Sequence, residues 1–271
     1  MTDIHDVQAF WDRRPCNFKH SNKPVGSSEY FQEVTARKRL VEPHTPSWAE
    51  FTSWNGRRVL EIGCGLGTDA VAYASWGARV TAVDVSANSL ELCRKRAWRY
   101  GLSDKINCVW ANAERLSHSL PVQPYDLIYS FGAVHHTPDP EKALSQMRKY
   151  AKPGTVLKLM VYHRRSLKVL EILLRHGQFW KLGELVARHS EAQTGCPVTH
   201  TYTRREAREL VERAGWRVTD LRVDHIFPYR VKDYVEGRYV KRWPWSWLGY
   251  ETTRRIERRL GWHILITGVV K

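Results

Sequence analysis

Between residues 57 and 162 the chain alternates short, β-branched apolar runs with stretches in which apolar residues return every three to four positions. That alternation predicts βαβ units on a mostly parallel sheet. The first strand is Arg58-Val59-Leu60-Glu61-Ile62, followed by a glycine turn and a helix through 69–74 that Gly77 closes. Arg79-Val80-Thr81-Ala82-Val83-Asp84 is the second strand, and Ser86 caps a helix presenting Leu90, Cys93, Ala97 and Tyr100 at helical spacing. Residues 106–110 and 125–130 read as strands three and four. Asp139-Pro140 opens a helix with Ala143, Leu144, Met147 and Tyr150 on one face, Pro153-Gly154 ends it, and 155–161 supplies strand five.

Beyond residue 162 the repeat is interrupted. Residues 167–174 and 179–187 predict two helices, which form an insertion near 164–202. Thr203-Arg204-Arg205-Glu206 is a capping box for a helix ending at Gly215, and 216–223 and 262–270 read as the last two strands. Ahead of the first strand, residues 28–41 predict a helix, so 1–56 is expected to be a helical lid and 57–271 the main domain.

With 271 residues there is enough chain for one α/β domain with additions. No apolar run approaches the roughly 20 residues of a spanning helix, and the N-terminus lacks the basic and apolar regions of an export signal, so a cytoplasmic location is expected. The five cysteines are scattered without a C-x-x-C pair; free thiols are expected, and no metal site. The net charge of +15 is uneven, with increments of 0, +5 and +10 over residues 1–56, 57–162 and 163–271. Such a surface suits an anionic metabolite, a nucleic acid or an acidic lipid, or serves solubility alone.

The chemistry concentrates in Glu61-Ile62-Gly63-Cys64-Gly65-Leu66-Gly67, between the first strand and its helix. Glycines there let backbone pass close to a ligand, and Asp84 at the end of the next strand can accept hydrogen bonds from ribose hydroxyls. The spacing is G-x-G-x-G rather than the dinucleotide G-x-G-x-x-G, and Glu61 would repel a pyrophosphate while attracting an ammonium. This combination resembles motif I of the class I S-adenosylmethionine (SAM)-dependent methyltransferases. The resemblance covers about 57–162 and implies a Rossmann-like, seven-stranded sheet with helices on both faces and an antiparallel last strand. It implies SAM as cofactor, with Gly63, Cys64, Gly65 and Gly67 along its methionine and ribose, and Asp84 on the ribose hydroxyls. Val85 would flank the adenine, Asn112-Ala113 falls where the family usually has Asp-Ala at the adenine, and Ser130-Phe131 falls beside the methionine.

Methyl transfer from a sulfonium needs alignment, exclusion of water and, for some acceptors, a proton acceptor. Ser130-Phe131-Gly132-Ala133-Val134-His135-His136-Thr137-Pro138 follows strand four and resembles the segment of ubiquinone, menaquinone and natural-product methyltransferases. His135 or His136 is the expected base, with His163 converging from the end of strand five. His200 and His225 are further histidines whose place the pattern leaves open. The Asn/Asp-Pro-Pro-Tyr/Phe motif of nucleobase amino methylation and the Pro-Cys of carbon-5 methylation are both absent.

Arg13 and Arg14 could clamp an anionic acceptor, and Tyr30 could reach the cofactor. The stretch 241–250, with Trp243, Trp245 and Trp247, and the arginine pairs after it fit three roles: walling an acceptor pocket, stacking single-stranded bases, or resting on an anionic membrane. A methyltransferase for a small, anionic or aromatic acceptor is the leading reading. An RNA-modifying enzyme and a non-catalytic SAM-binding regulator are the alternatives, and oligomeric state has no signature.

Overall fold

The computed structural model describes residues 3–177, 179–189 and 196–270; positions 190–195 of the expected insertion lie outside the described residues. The strands are β1 (Arg58–Ile62), β2 (Arg79–Asp84), β3 (Ile106–Trp110), β4 (Tyr125–Phe131), β5 (Ala151–His163), β6 (Thr201–Tyr202), β7 (Trp216–Asp224) and β8 (His263–Val270). The helices up to β5 are α1 (Ile4–Arg13), α2 (Ser28–Val41), α3 (Thr45–Ala49), α4 (Thr68–Ser75), α5 (Ala87–Arg99), α6 (Leu116–Ser119) and α7 (Pro140–Arg148). After it come α8 (Leu167–His176), α9 (Leu182–His189), α10 (Arg204–Arg213), α11 (Val231–Val235) and α12 (Tyr250–Leu260).

The sheet runs β3-β2-β1-β4-β5-β8-β7. The first five strands are parallel, and β8 is antiparallel to both β5 and β7. The short β6 adds an eighth member by pairing Thr201 and Tyr202 with Tyr162 and His163. Two residues are too few for an apolar run to announce, so the expected count of seven omits it. β5 is also longer than expected, because Ala151 pairs with Tyr125 ahead of a register shift, so that 151–154 belong to the strand rather than ending a helix.

Local chemistry sets the helix starts. Ser86 Oγ accepts from Ser89 N at 3.0 Å, Asp139 Oδ1 from Lys142 N at 2.9 Å, and Thr203 with Glu206 closes a capping box. One face of the sheet is covered by α4, α5 and the Trp48 region, and the other by α6, α7 and α10, each enclosing its own apolar cluster. Trp48 and Trp216 are among the largest fully buried side chains. No described helix is long and apolar enough to cross a membrane.

The consequence for function is topological. β1 lies between β2 and β4, the point where strand order reverses, and a crevice opens there beyond the carboxyl ends of the strands.

Candidate active site

That crevice holds a cavity of about 220 Å³ walled by Glu61, Gly63, Cys64, Gly65, Asp84 and Val85, with Ala113, Phe131 and His136 across from them. Gly63 packs against the loop after β4, where an added Cβ would lie 2.1 Å from Ala133 Cβ. Gly65, at φ +51°, meets nothing within 4 Å, so its missing side chain is open space facing the cavity. Its N–H donates to Asp84 Oδ2 at 2.8 Å, and Ser86 N–H donates to Oδ1 at 2.9 Å. Burial pushes the Asp84 carboxyl up, while these backbone donors work against the shift.

Glu61 carries the sharpest electrostatic signal. It is 3% exposed, it lines the cavity, and its Oε2 has no hydrogen-bond partner. Burial first, and the neighbouring Asp69 second, push its carboxyl well above the usual range. Asp69 behaves oppositely: burial opposes its ionisation, but Lys38 at 2.7 Å and Arg39 at 2.9 Å outweigh it and hold the carboxyl low. Tyr129 Oη adds a hydrogen bond at 2.8 Å. Lys38 Nζ also lies 5.0 Å from the centre of the Phe131 ring, so α2 brings a cation to the cavity wall.

Several expected residues stand elsewhere. Gly67 begins α4 in a left-handed conformation and packs on Cys93 instead of lining the cavity. Asn112 turns its Oδ1 back to accept from Glu114 N at 2.8 Å, and Ser130 Oγ donates to Ile62 O at 3.0 Å within the sheet. His163 corrects the expected convergence: adjacent side chains on a strand point to opposite faces, so Tyr162 reaches the cavity while His163 turns its Nδ1 to Gly261 O at 3.1 Å. His135 is fully buried behind its neighbour, with the Met160 backbone as its polar surroundings, and burial lowers its pKa well below the ordinary value. Of the three expected bases only His136 lines the cavity; its Nδ1 lies 2.9 Å from Val198 O and 3.2 Å from Thr199 Oγ1. Tyr30 is fully buried against Phe18 O, and Arg13 and Arg14 do not line the cavity.

A second, larger cavity of about 890 Å³ adjoins the first, sharing Lys38, Glu42, Tyr162 and His263. Its walls come from α8, α9 and the segment after β7, and they are rich in cations, including Arg175, Arg188, Arg230 and Lys232. Arg242, another wall residue, is spent on Glu171 at 2.6 and 2.8 Å. From the tryptophan stretch only Trp245 lines this cavity, whereas Trp243 and Trp247 are 78% and 87% exposed. Trp11 of α1 and His263 of β8 complete the first cavity. Both, with Lys38, come from segments remote from the glycine turn.

A sequence profile described as a methyltransferase domain matches residues 35–221. The chain belongs to that family. Among curated relatives of this methyltransferase domain, the ubiquinone biosynthesis O-methyltransferase of Bordetella parapertussis is 32% identical over 116 residues, 42% of this chain and 47% of the relative. The chain spans under half the length of the curated relatives it matches. In three dimensions the domain resembles the magnesium protoporphyrin IX methyltransferase of Synechocystis PCC 6803, solved with S-adenosylhomocysteine. The TM-score is 0.61 at 13% identity, covering 99% of this chain and 100% of the other. It also resembles the geranyl diphosphate C-methyltransferase of Streptomyces coelicolor A3(2), with a TM-score of 0.61 at 14% identity, covering 98% and 97%. At such identities the likeness establishes the fold, which is that of the class I SAM-dependent methyltransferases.

Proposed function

We propose that this protein transfers a methyl group from SAM to a small, anionic or aromatic acceptor held in the larger cavity. The observation that carries the reading is Glu61: a buried carboxylate oxygen without a partner, facing the same small cavity as the open side of Gly65 and the Asp84 carboxylate. An uncompensated acid in that position suits a ligand that brings its own ammonium. Asp84, already oriented by two backbone donors, would accept the ribose hydroxyls, and Val85 and Ala113 would flank the adenine.

SAM, when bound, supplies an electrophilic methyl group. The chain's own part is to position the acceptor, exclude water and accept a proton where the acceptor carries one. His136 suits the last task. A ring whose Nδ1–H donates to Val198 O carries its lone pair on Nε2, the atom that takes up a proton. Arg188, Arg230 and Lys232 would draw an anionic acceptor into the larger cavity, and Trp245 gives it an apolar wall.

Calorimetry with SAM and with S-adenosylhomocysteine tests the reading. Binding with one-to-one stoichiometry is the expected result, and absence of binding at high micromolar ligand would end it. An RNA acceptor predicts affinity for RNA that falls steeply with salt, and a small acceptor predicts none.

A further inference from the structure

Three histidines from remote parts of the chain meet on the wall between the two cavities. His44 precedes α3, His225 follows β7 and His263 opens β8; all three are buried, and one ligand atom from each lies within 4.8 Å of the others. His44 Nε2 and His263 Nδ1 are 3.2 Å apart. Two imidazole nitrogens on one tetrahedral zinc ion, each about 2.0–2.1 Å from the metal, stand roughly 3.3 Å apart. That edge of a coordination tetrahedron therefore already exists.

The surroundings are those of a ligand set. Asp224 stands behind His44, its Oδ1 3.9 Å from Nδ1, and the Val41 backbone lies against the His225 ring. A backbone carbonyl beside an imidazole is the kind of outer partner that orients it on a metal. Arg254 grips Asp224 at 2.8 and 2.9 Å, which holds the carboxylate back from the cluster, and Lys38, whose charge acts on His44 and His263, is paired with Asp69. His225 adopts φ +72°, a left-handed conformation uncommon outside glycine, pinned by its N–H to Asp224 and by Trp262 N–H to its carbonyl at 2.7 Å. A backbone held in that way fixes where the ring points.

We propose that His44, His225 and His263 form a site for a divalent transition-metal ion, with zinc and cobalt as the ions to test, whose fourth position faces the larger cavity. His225 and His263 both line that cavity, and His263 also lines the smaller one. An ion there would bind an acceptor oxygen and lower its pKa, so that the hydroxyl proton passes to solvent or His136; the oxygen would then bond to the methyl carbon as the sulfonium S–CH3 bond breaks, its electron pair staying on sulfur and S-adenosylhomocysteine leaving. This role rests on the methyltransferase reading; the site itself does not.

Full-length protein stripped with a chelator and titrated with Co²⁺ is expected to take up one equivalent, with the intense visible absorption of four-coordinate cobalt, and Zn²⁺ should displace it. In His44→Ala and His225→Ala, checked for fold by circular dichroism, binding should weaken by more than about 100-fold, beyond the loss typical of an outer-shell partner. Their affinity for S-adenosylhomocysteine should stay at the wild-type value. Wild-type protein that takes up less than one equivalent overturns the proposal, as does uptake unchanged in both variants. Should the alanine variants fail to fold, His225→Asn is measured in their place, and unchanged uptake in that variant again overturns it. Metal uptake without any SAM binding would keep the site and remove the methyltransferase reading.

Discussion

The Gly65 amide donates to the Asp84 carboxylate at 2.8 Å, which ties the turn after β1 to the end of β2 as one unit. Asp84→Ala removes the acceptor for Gly65 and Ser86 and the group assigned to the ribose. Hydrogen bonds to a charged partner contribute about 1.5–3 kcal/mol, so affinity for S-adenosylhomocysteine should fall roughly 10- to 150-fold by calorimetry. Unchanged affinity would remove Asp84 from the ligand.

Glu61→Gln separates function from stability. Burial raises the Glu61 pKa in the folded protein, so at neutral pH its carboxyl costs stability that a neutral amide does not; Tm should rise by a few degrees while SAM affinity drops about 10-fold or more. A lower Tm together with retained affinity contradicts the assignment.

The two glycines of the turn should respond differently to alanine. Gly63→Ala drives a methyl to within 2.1 Å of Ala133 and should cost about 3 kcal/mol in urea unfolding. Gly65→Ala meets no protein atom within 4 Å and should cost about 1–2 kcal/mol for its positive φ, yet weaken SAM binding by narrowing the cavity. Equal losses of stability would mean that the space around Gly65 is not open.

Acid should destabilise the protein through its buried neutral histidines. Burial lowers His20 to about 3 and His135 well below its ordinary 6.5, and His20 Nε2 is 3.1 Å from Tyr234 Oη. Their folded pKa values lie below the unfolded one, so the unfolded chain takes up protons first. The stabilisation is complete above about pH 6.5 and is lost as pH falls toward 3. Urea midpoints measured from pH 7.5 to 5 should decrease, and His20→Gln should flatten the slope; a midpoint that rises on acidification would contradict this.

The glycine turn and Asp84 are legible in the sequence because each lies within one strand–turn segment, where spacing along the chain is spacing in space. The five parallel strands are legible for the same reason: β-branched runs alternating with helical periodicity need only local information. His44 and His263 are 219 residues apart and meet at 3.2 Å. No periodicity encodes that contact, and it depends on β8 returning antiparallel beside β5. Lys38 is hidden likewise, since a lysine on an amphipathic helix has the same pattern whether it meets solvent or Asp69. His163 misleads by one residue. The strand runs two residues past the expected end at 161 and takes in His163, and which of two neighbours on a strand faces the ligand depends on register, which a single step inverts.

The two cavities share Tyr162 and His263 as common wall residues. With the nucleoside in the smaller cavity and the acceptor in the larger, as proposed above, one ligand would exchange while the other stays seated. Initial-rate lines for the two substrates should intersect rather than run parallel, and an acceptor with several methylatable positions could be modified more than once in a single residence.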